Sequence, residues 1–187
     1  MFRRATAADA NDIARIYNQA RKPGIFAISQ LDPDTCSNRI IWLREHQDPY
    51  PAFVYEPHRG HVVGWCSLNR FSLRPEYADV AETSRYIDEH HRGKGLGRLM
   101  AQHLIRSAID FGLRLLVSRA YERNIPSIKS ESGFRRVAVL HEAACIHGEW
   151  QNDIYFWKKL DRVPQCRVAA SGSPHGRQEP GRPVSSG

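Results

Sequence analysis

Arg92-Gly93-Lys94-Gly95-Leu96-Gly97 joins a strand-like run, Val80 to Ile87, to a helix-like run, Leu96 to Phe111. Glycine at every second position lets the backbone turn tightly and brings bare N–H groups against an anion, at the point where a helix opens its N-terminus. The segment therefore constrains the chain to strand, anion loop and helix in immediate succession, with a phosphate-bearing ligand expected at the loop. Spacing excludes two common nucleotide loops. A Walker A loop needs GxxxxGK followed by Ser or Thr, and a dinucleotide fingerprint needs GxGxxG, where this chain has Arg98 instead of the last glycine.

The 187 residues, 41% hydrophobic and 10% aromatic, suffice for one domain with a sizeable core. No apolar run approaches the ~18 residues of a membrane span, and Met1-Phe2-Arg3-Arg4-Ala5 lacks a signal peptide's apolar core, so the cytoplasm is the expected compartment. Cys36, Cys66, Cys145 and Cys166 make no CxxC pair and no zinc-type cluster. Reduced thiols and no metal are the expectation. The net charge is +7. Residues 161–187 hold four Arg against Asp161 and Glu179, or +2, which leaves +5 elsewhere. That excess is diffuse and densest at the glycine loop, where a polyanionic cofactor accounts for it as well as nucleic acid would.

Along the chain, Phe2 to Ala5 reads as an edge strand and Thr6-Ala7-Ala8-Asp9 as a helix cap, followed by Ile13, Ile16, Tyr17 and Ala20 at helical spacing until Pro23-Gly24. Asp32-Pro33-Asp34 is expected to start a second helix that turns Ile40, Ile41, Trp42 and Leu43 inward and stops before Asp48-Pro49. Ala52 to Tyr55, His61 to Leu68 and Val80 to Ile87 read as strands. Leu96 to Phe111 reads as the strongest helix, with Leu96, Leu99, Met100, His103, Leu104 and Phe111 on one stripe and Gly112 after its end. Leu113 to Ser118 reads as a strand, Pro126 to Ser130 as a short helix, and Phe134 to Leu140 and Asp153 to Leu160 as late strands. After Arg162, Pro, Gly and Ser dominate and apolar residues nearly vanish, so 1–161 is expected to be the domain and 162–187 a disordered tail.

Alternation in Val80 to Ile87 puts Glu82, Ser84 and Tyr86 on one face and Thr83, Arg85 and Ile87 on the other. A carboxylate in such a β-forming run is either a solvated or paired edge residue or a general base at a cleft. His90-His91 diverge and read as solvated or phosphate-proximal, and Cys145 reads as a buried or idle thiol.

Arg92-x-x-Gly95-x-Gly97 resembles the R-x-x-G-x-G pyrophosphate loop for acyl-CoA in the GNAT superfamily of N-acetyltransferases. Arg74, Tyr77 and Glu82 before the loop, Asn124-Ile125-Pro126-Ser127, and His147-Gly148-Glu149-Trp150-Gln151-Asn152-Asp153 followed by Trp157 resemble the phosphinothricin (methionine sulfoximine/sulfone) acetyltransferase family over residues 2–160. The resemblance implies an α/β (α+β) fold: a central mixed, mainly antiparallel sheet flanked by helices, with acyl-CoA at a splay between the fourth and fifth strands. It implies Glu82 as general base, backbone pairing of Arg85, Tyr86 and Ile87 with pantetheine, and a pyrophosphate cradle from Arg92 and the amides of Gly93, Lys94, Gly95, Leu96, Gly97 and Arg98. Asn124 and Ser127 would help fix the cofactor. Arg74 would clamp a substrate carboxylate, with Tyr77, Phe26 and Trp150 bordering the pocket. Here Ser127 to Phe134 is two residues shorter than in the family and lacks its His or Tyr acid, with Tyr121 and Ser130 as candidate substitutes.

The expected activity is acetyl-CoA-dependent acetylation of the amino group of a small amino acid or analogue, by direct attack in a ternary complex. The partners expected are a small-molecule amine, with no nucleic acid and no membrane, and the resemblance leaves room for a homodimer. Two alternatives are a non-catalytic acyl-CoA-binding protein and a basic nucleic-acid-binding protein.

Overall fold

The computed structural model describes residues 1–28, 32–131 and 133–161. The expected disordered tail, 162–187, lies outside the described residues. Seven described strands form one sheet: β1 Phe2–Arg4, β2 Ala52–Tyr55, β3 Gly64–Arg70, β4 Val80–Ile87, β5 Leu115–Tyr121, β6 Arg135–Ile146 and β7 Glu149–Lys159, in the order β1-β2-β3-β4-β5-β7-β6. All neighbours are antiparallel except β4 and β5. Helices α1 Ala10–Asn18 and α2 Cys36–Glu45 pack on one face, and α3 Leu96–Asp110 and α4 Ile125–Ser130 are neighbours in the other layer. Among the described residues no helix is long and apolar enough to cross a membrane.

Local chemistry explains most boundaries. The Thr6–Asp9 capping box forms, and Asp9 also takes a two-pronged pair from Arg3, which ties β1 to the start of α1. Ala10, Ile13 and Ile16 then turn to the sheet and pack with Leu43, Val54 and Trp65. On the opposite face Leu96, Met100 and Leu104 close over Cys66, Leu68, Ala81 and Leu116. Each fully buried Leu or Met among them contributes about 1.5–3 kcal/mol. β3 and α3 approach so closely that a Cβ on Gly64 would lie 2.4 Å from Met100 Cε and 3.0 Å from the Tyr86 carbonyl oxygen, so a larger residue here would have to displace the end of the Met100 side chain and crowd the β4 backbone.

Several expectations need correction. α2 starts after Thr35, whose hydroxyl accepts from the Asn38 N–H, and Asp34 is turned to Arg39 rather than capping. Ile41 is 56% exposed and Leu99 38% exposed, because α2 and α3 each bury a narrower stripe than their apolar content suggests. β3 begins at Gly64 rather than His61. Leu113 lies in the connection just after α3, its N–H bonded back to the Ala108 carbonyl, so β5 begins at Leu115 and runs on to Tyr121. The two late strands are much longer than expected, since His147 and Gly148 both take positive φ and close a tight hairpin, with register shifts after Arg136 and Leu140. Cys145 sits on that hairpin and is exposed, not buried.

Candidate active site

The strands β4 and β5 pair in parallel only from Val80 to Glu82 against Leu115 to Val117. Beyond that point β4 stays on β3 as far as Ile87, whereas β5 follows β7 as far as Tyr121. The sheet is therefore split, and no described strand pairs with the β4 edge from Thr83 to Ile87. Backbone N–H and C=O groups along such an edge need a partner, and an extended polar chain laid along it would supply one. Arg85, Tyr86 and Ile87, the expected pantetheine partners, lie on this edge.

At its far end a single 3₁₀ turn, Glu89–His91, leads into the glycine loop. Gly93 and Gly95 have φ of +75° and +80°, conformations that strain any residue with a Cβ, and Gly95 occupies the N-cap of α3. The loop thus presents its amides around the start of a helix of 15 residues. Arg92 Nε donates to the Ile87 carbonyl and Lys94 Nζ to the His90 carbonyl, so both cations flank the loop. The Arg98 N–H donates to the Gly95 carbonyl at 3.1 Å in the first turn of α3. Asp88 anchors the loop's base. Its carboxylate accepts from Arg15 Nη1 at 2.5 Å, Gln19 Nε2 at 3.0 Å and the His90 N–H at 3.1 Å. Burial opposes its charge, yet these donors and His91 hold the carboxyl well below the usual carboxylate range.

Glu82 lies where the split begins, half-buried on the α1/α2 face. Its Oε1 accepts from Arg119 Nε at 3.0 Å, and Arg119 Nη1 also approaches Asp153 Oδ2 and the Tyr155 hydroxyl, each at 3.4 Å. Burial works against the Arg119 charge, but Glu82 and Tyr155 more than restore it, so Arg119 stays protonated. Asn69 Nδ2 bridges the Glu82 carbonyl (3.1 Å) and Ser84 Oγ (2.9 Å). Ser84 and Tyr86 continue the same face into a cavity of about 320 Å³, which Tyr17, Asp34, Asn38, Arg39, Trp42, Trp65 and Asn69 complete. Across the split, Tyr121 on β5 is half-buried and its phenol is pushed up by burial.

The other β4 face is built differently. Arg85 donates to Glu131 and lies 3.5 Å from Ser118 Oγ, which itself donates to Glu131 at 2.9 Å. Glu131, 6% exposed, ties the end of α4 to both β4 and β5. Its Oε2 finds no partner among the described residues, and burial raises its carboxyl despite Arg85. Cys66 beneath this face is buried, and its thiol is pushed up to about 12, which removes it as a nucleophile.

The remaining expected residues sit as follows. Asn124 caps α4, accepting the Ser127 N–H at 3.3 Å, which places both at the end of β5. Arg74 and Tyr77 are exposed on the β3–β4 connection, Tyr77 against Phe71. Phe26 is buried under the Arg123 guanidinium, 3.9 Å from its ring centroid, and meets the His147 ring edge-on, so the α1–α2 connection reaches the β6–β7 hairpin. Trp150, on that hairpin, is 66% exposed. The Ser130 side chain lies outside the described part. Sequence reading missed Arg119, Asp88, Glu131 and the Arg39–Asp34 pair. Alternation along β5 from Val117 to Arg119 could have placed Arg119 beside Glu82; the others are brought in by tertiary contacts alone.

A half-split mixed sheet, a glycine loop opening a helix at the far end of the split and a carboxylate at its near end make this chain a member of the acetyltransferase (GNAT) domain family, whose profile matches residues 1–130. The chain is 30% identical over 165 residues to an L-methionine sulfoximine/L-methionine sulfone acetyltransferase of Salmonella typhimurium, covering 86% of this chain and 94% of the relative. It is 29% identical over 165 residues to the phosphinothricin N-acetyltransferase of Streptomyces viridochromogenes, covering 87% and 88%. In structure it is similar to a Salmonella typhimurium protein solved with its cofactor acetyl-CoA, with a TM-score of 0.82 at 28% identity over 90% of this chain and 98% of the other.

Proposed function

We propose that this chain is an acetyl-CoA-dependent N-acetyltransferase that acylates the amino group of a small amino acid or analogue. The observation that carries the reading is the unpaired β4 edge, with Glu82 at one end and the Gly93–Gly97 loop at the other. The residues present fit acetyl-CoA. A Cβ built on Gly93 or Gly95 meets nothing within 4 Å, so the loop is open on its outer side, and its amides stand over the helix N-terminus with Arg92, Lys94 and Arg98 around them.

Gly93 to Gly97 hold the pyrophosphate, the edge from Arg85 to Ile87 pairs with pantetheine, and Asn124 and Ser127 border the cofactor at α4. When bound, acetyl-CoA supplies the activated acetyl thioester. Glu82 takes the ammonium proton on Oε2 while Oε1 stays on Arg119, and the amine attacks directly, with no acyl-enzyme. A β4 backbone N–H stabilises the oxyanion. Tyr121 on β5, kept protonated by burial, is our candidate to protonate the departing thiolate. Arg74 holds the acceptor carboxylate, and Tyr77, Phe26 and Trp150 border its pocket.

A thermal-shift titration with acetyl-CoA, followed by a thiol-release assay over an amino-acid panel, tests the reading. The expected result is a saturable stabilisation together with amine-dependent release. Stabilisation without release from any amine would reduce the chain to an acyl-CoA-binding protein.

A further inference from the structure

Resting on the acetyl-transfer reading above, we propose that the cavity beside Glu82 receives the acceptor's side chain, and that the buried Arg39–Asp34 pair tunes it to a neutral polar group and against an anionic one. Position comes first. Glu82, Ser84 and Tyr86 share one face of β4, two residues or about 7 Å apart, and Asn69 links the first two through its amide. An amine presented to Glu82 therefore directs one substituent into the cavity. Its volume, about 320 Å³, falls at the small end of ligand pockets, roughly 300–1,000 Å³.

The charge of the cavity decides the class of side chain. Arg39 and Asp34 are both buried, at 6% and 9% exposure, and Arg39 Nε donates to Asp34. The Arg39 guanidinium carbon lies 4.2 Å from the Tyr17 ring centroid, 4.9 Å from that of Trp42 and 5.0 Å from that of Trp65. Its charge is therefore already balanced, by one carboxylate and by three aromatic faces. An anionic head entering this box meets Asp34 and the electron-rich ring faces, and it leaves the desolvated site with one net negative charge. A neutral head with strong acceptor oxygens brings no such penalty. It can accept from the terminal guanidinium N–H groups and from the Ser84 hydroxyl, whose oxygen already accepts from Asn69.

Methionine sulfone and phosphinothricin isolate this variable. Both carry a tetrahedral methyl-bearing head with two oxygens on the same two-carbon stem, and they differ by the one negative charge of the phosphinate. Steady-state kcat/KM by thiol release at saturating acetyl-CoA should favour the sulfone by roughly 10- to 100-fold. Asp34→Asn removes the counter-charge and should move that ratio toward phosphinothricin by roughly tenfold or more. Equal kcat/KM for the two acceptors, a preference for phosphinothricin, or an unchanged ratio in a folded Asp34→Asn protein each overturns the proposal. Should Asp34→Asn not fold, Asn38→Leu, at an exposed position lining the cavity, should raise KM for the sulfone several-fold with KM for acetyl-CoA unchanged; an unchanged sulfone KM overturns it. Absence of thiol release with every amine of the panel is a separate outcome, which overturns the acetyl-transfer reading itself and this proposal with it.

Discussion

The two sides of the split sheet are made of different material. Toward the loop, the site is backbone: an unpaired β4 edge, two glycines at positive φ and the N-terminus of α3. Toward α1 and α2 it is side chain: Glu82 and Ser84 from β4, Asn69 and Trp65 from β3, Tyr17 from α1, Arg39 and Trp42 from α2, and Arg119 from β5. A backbone site is fixed by a few local conformations and changes little when surrounding side chains change. A side-chain site can be respecified residue by residue while the sheet stays as it is. The first suits an invariant cofactor and the second a variable acceptor, and substitutions on the two sides should separate cleanly.

The largest separation is expected from Glu82→Gln. The substitution keeps the shape and an oxygen for Arg119 Nε but removes the proton acceptor, so kcat should fall roughly 100- to 10,000-fold. The acetyl-CoA Kd, measured by calorimetry, should stay where it was, and a parallel loss of cofactor binding would refute the division. The mirror-image change is Gly95→Val. A β-branched residue at φ +80° is strained by about 1–2 kcal/mol and pushes the N-cap of α3 out of its left-handed conformation. The acetyl-CoA Kd should rise by about tenfold or more, whereas the acceptor's KM at saturating acetyl-CoA should hold.

Asp88 joins the two sides, since it receives Arg15 from α1, Gln19 from the turn that follows α1 and the His90 N–H from the loop's base. Its carboxyl is held below its ordinary 3.8 in the folded protein. The stability it contributes is therefore present above that value and is lost as pH falls through it toward the folded-state value. Asp88→Asn should lower stability by about 2 kcal/mol at pH 7. In urea melts that difference should shrink as the pH drops below about 4. A difference that stayed constant with pH would show that the anchor acts through packing rather than charge.

The same division governs what could be read from the chain. Arg92 to Gly97, Val80 to Ile87 and the α3 periodicity are local statements, and the structure bears out the β4 bounds, the loop and the split between β4 and β5. Thr6 to Asp9 form the capping box that their spacing predicts, on the 3₁₀ turn Ala7–Asp9 that leads into α1. By contrast, Asp34 looked like a helix start because Asp-Pro-Asp is a turn signature, and only the fold shows its carboxylate buried against Arg39. Glu131 falls in the Ser127 to Phe134 segment, which the sequence shows only as shortened. Its pairing with Arg85 and Ser118 runs 46 and 13 residues along the chain, a separation that no local pattern encodes. The hairpin from Arg135 to Lys159 was underestimated for a related reason: an exposed two-stranded ribbon with register shifts has weak alternation, so its length is set by pairing rather than by composition.

Arg74 gives the smallest expected effect and the sharpest test of where the acceptor side ends. It is exposed beside Pro75, and no hydrogen bond or ion pair to its guanidinium occurs among the described residues. Nothing in the fold depends on it, so Arg74→Ala should change stability by no more than about 0.5 kcal/mol. If it clamps the acceptor carboxylate, a two-pronged charge-assisted pair at a solvent-exposed position should be worth about 1 kcal/mol. The acceptor's KM should then rise about fivefold, with kcat and the acetyl-CoA Kd unchanged. The esterified acceptor supplies the control: it has no carboxylate to clamp, so wild type and Arg74→Ala should handle it alike. A KM defect that persisted with the ester would assign Arg74 to shaping the β3–β4 connection, and would move the carboxylate's partner inward to Arg119, the other guanidinium beside Glu82.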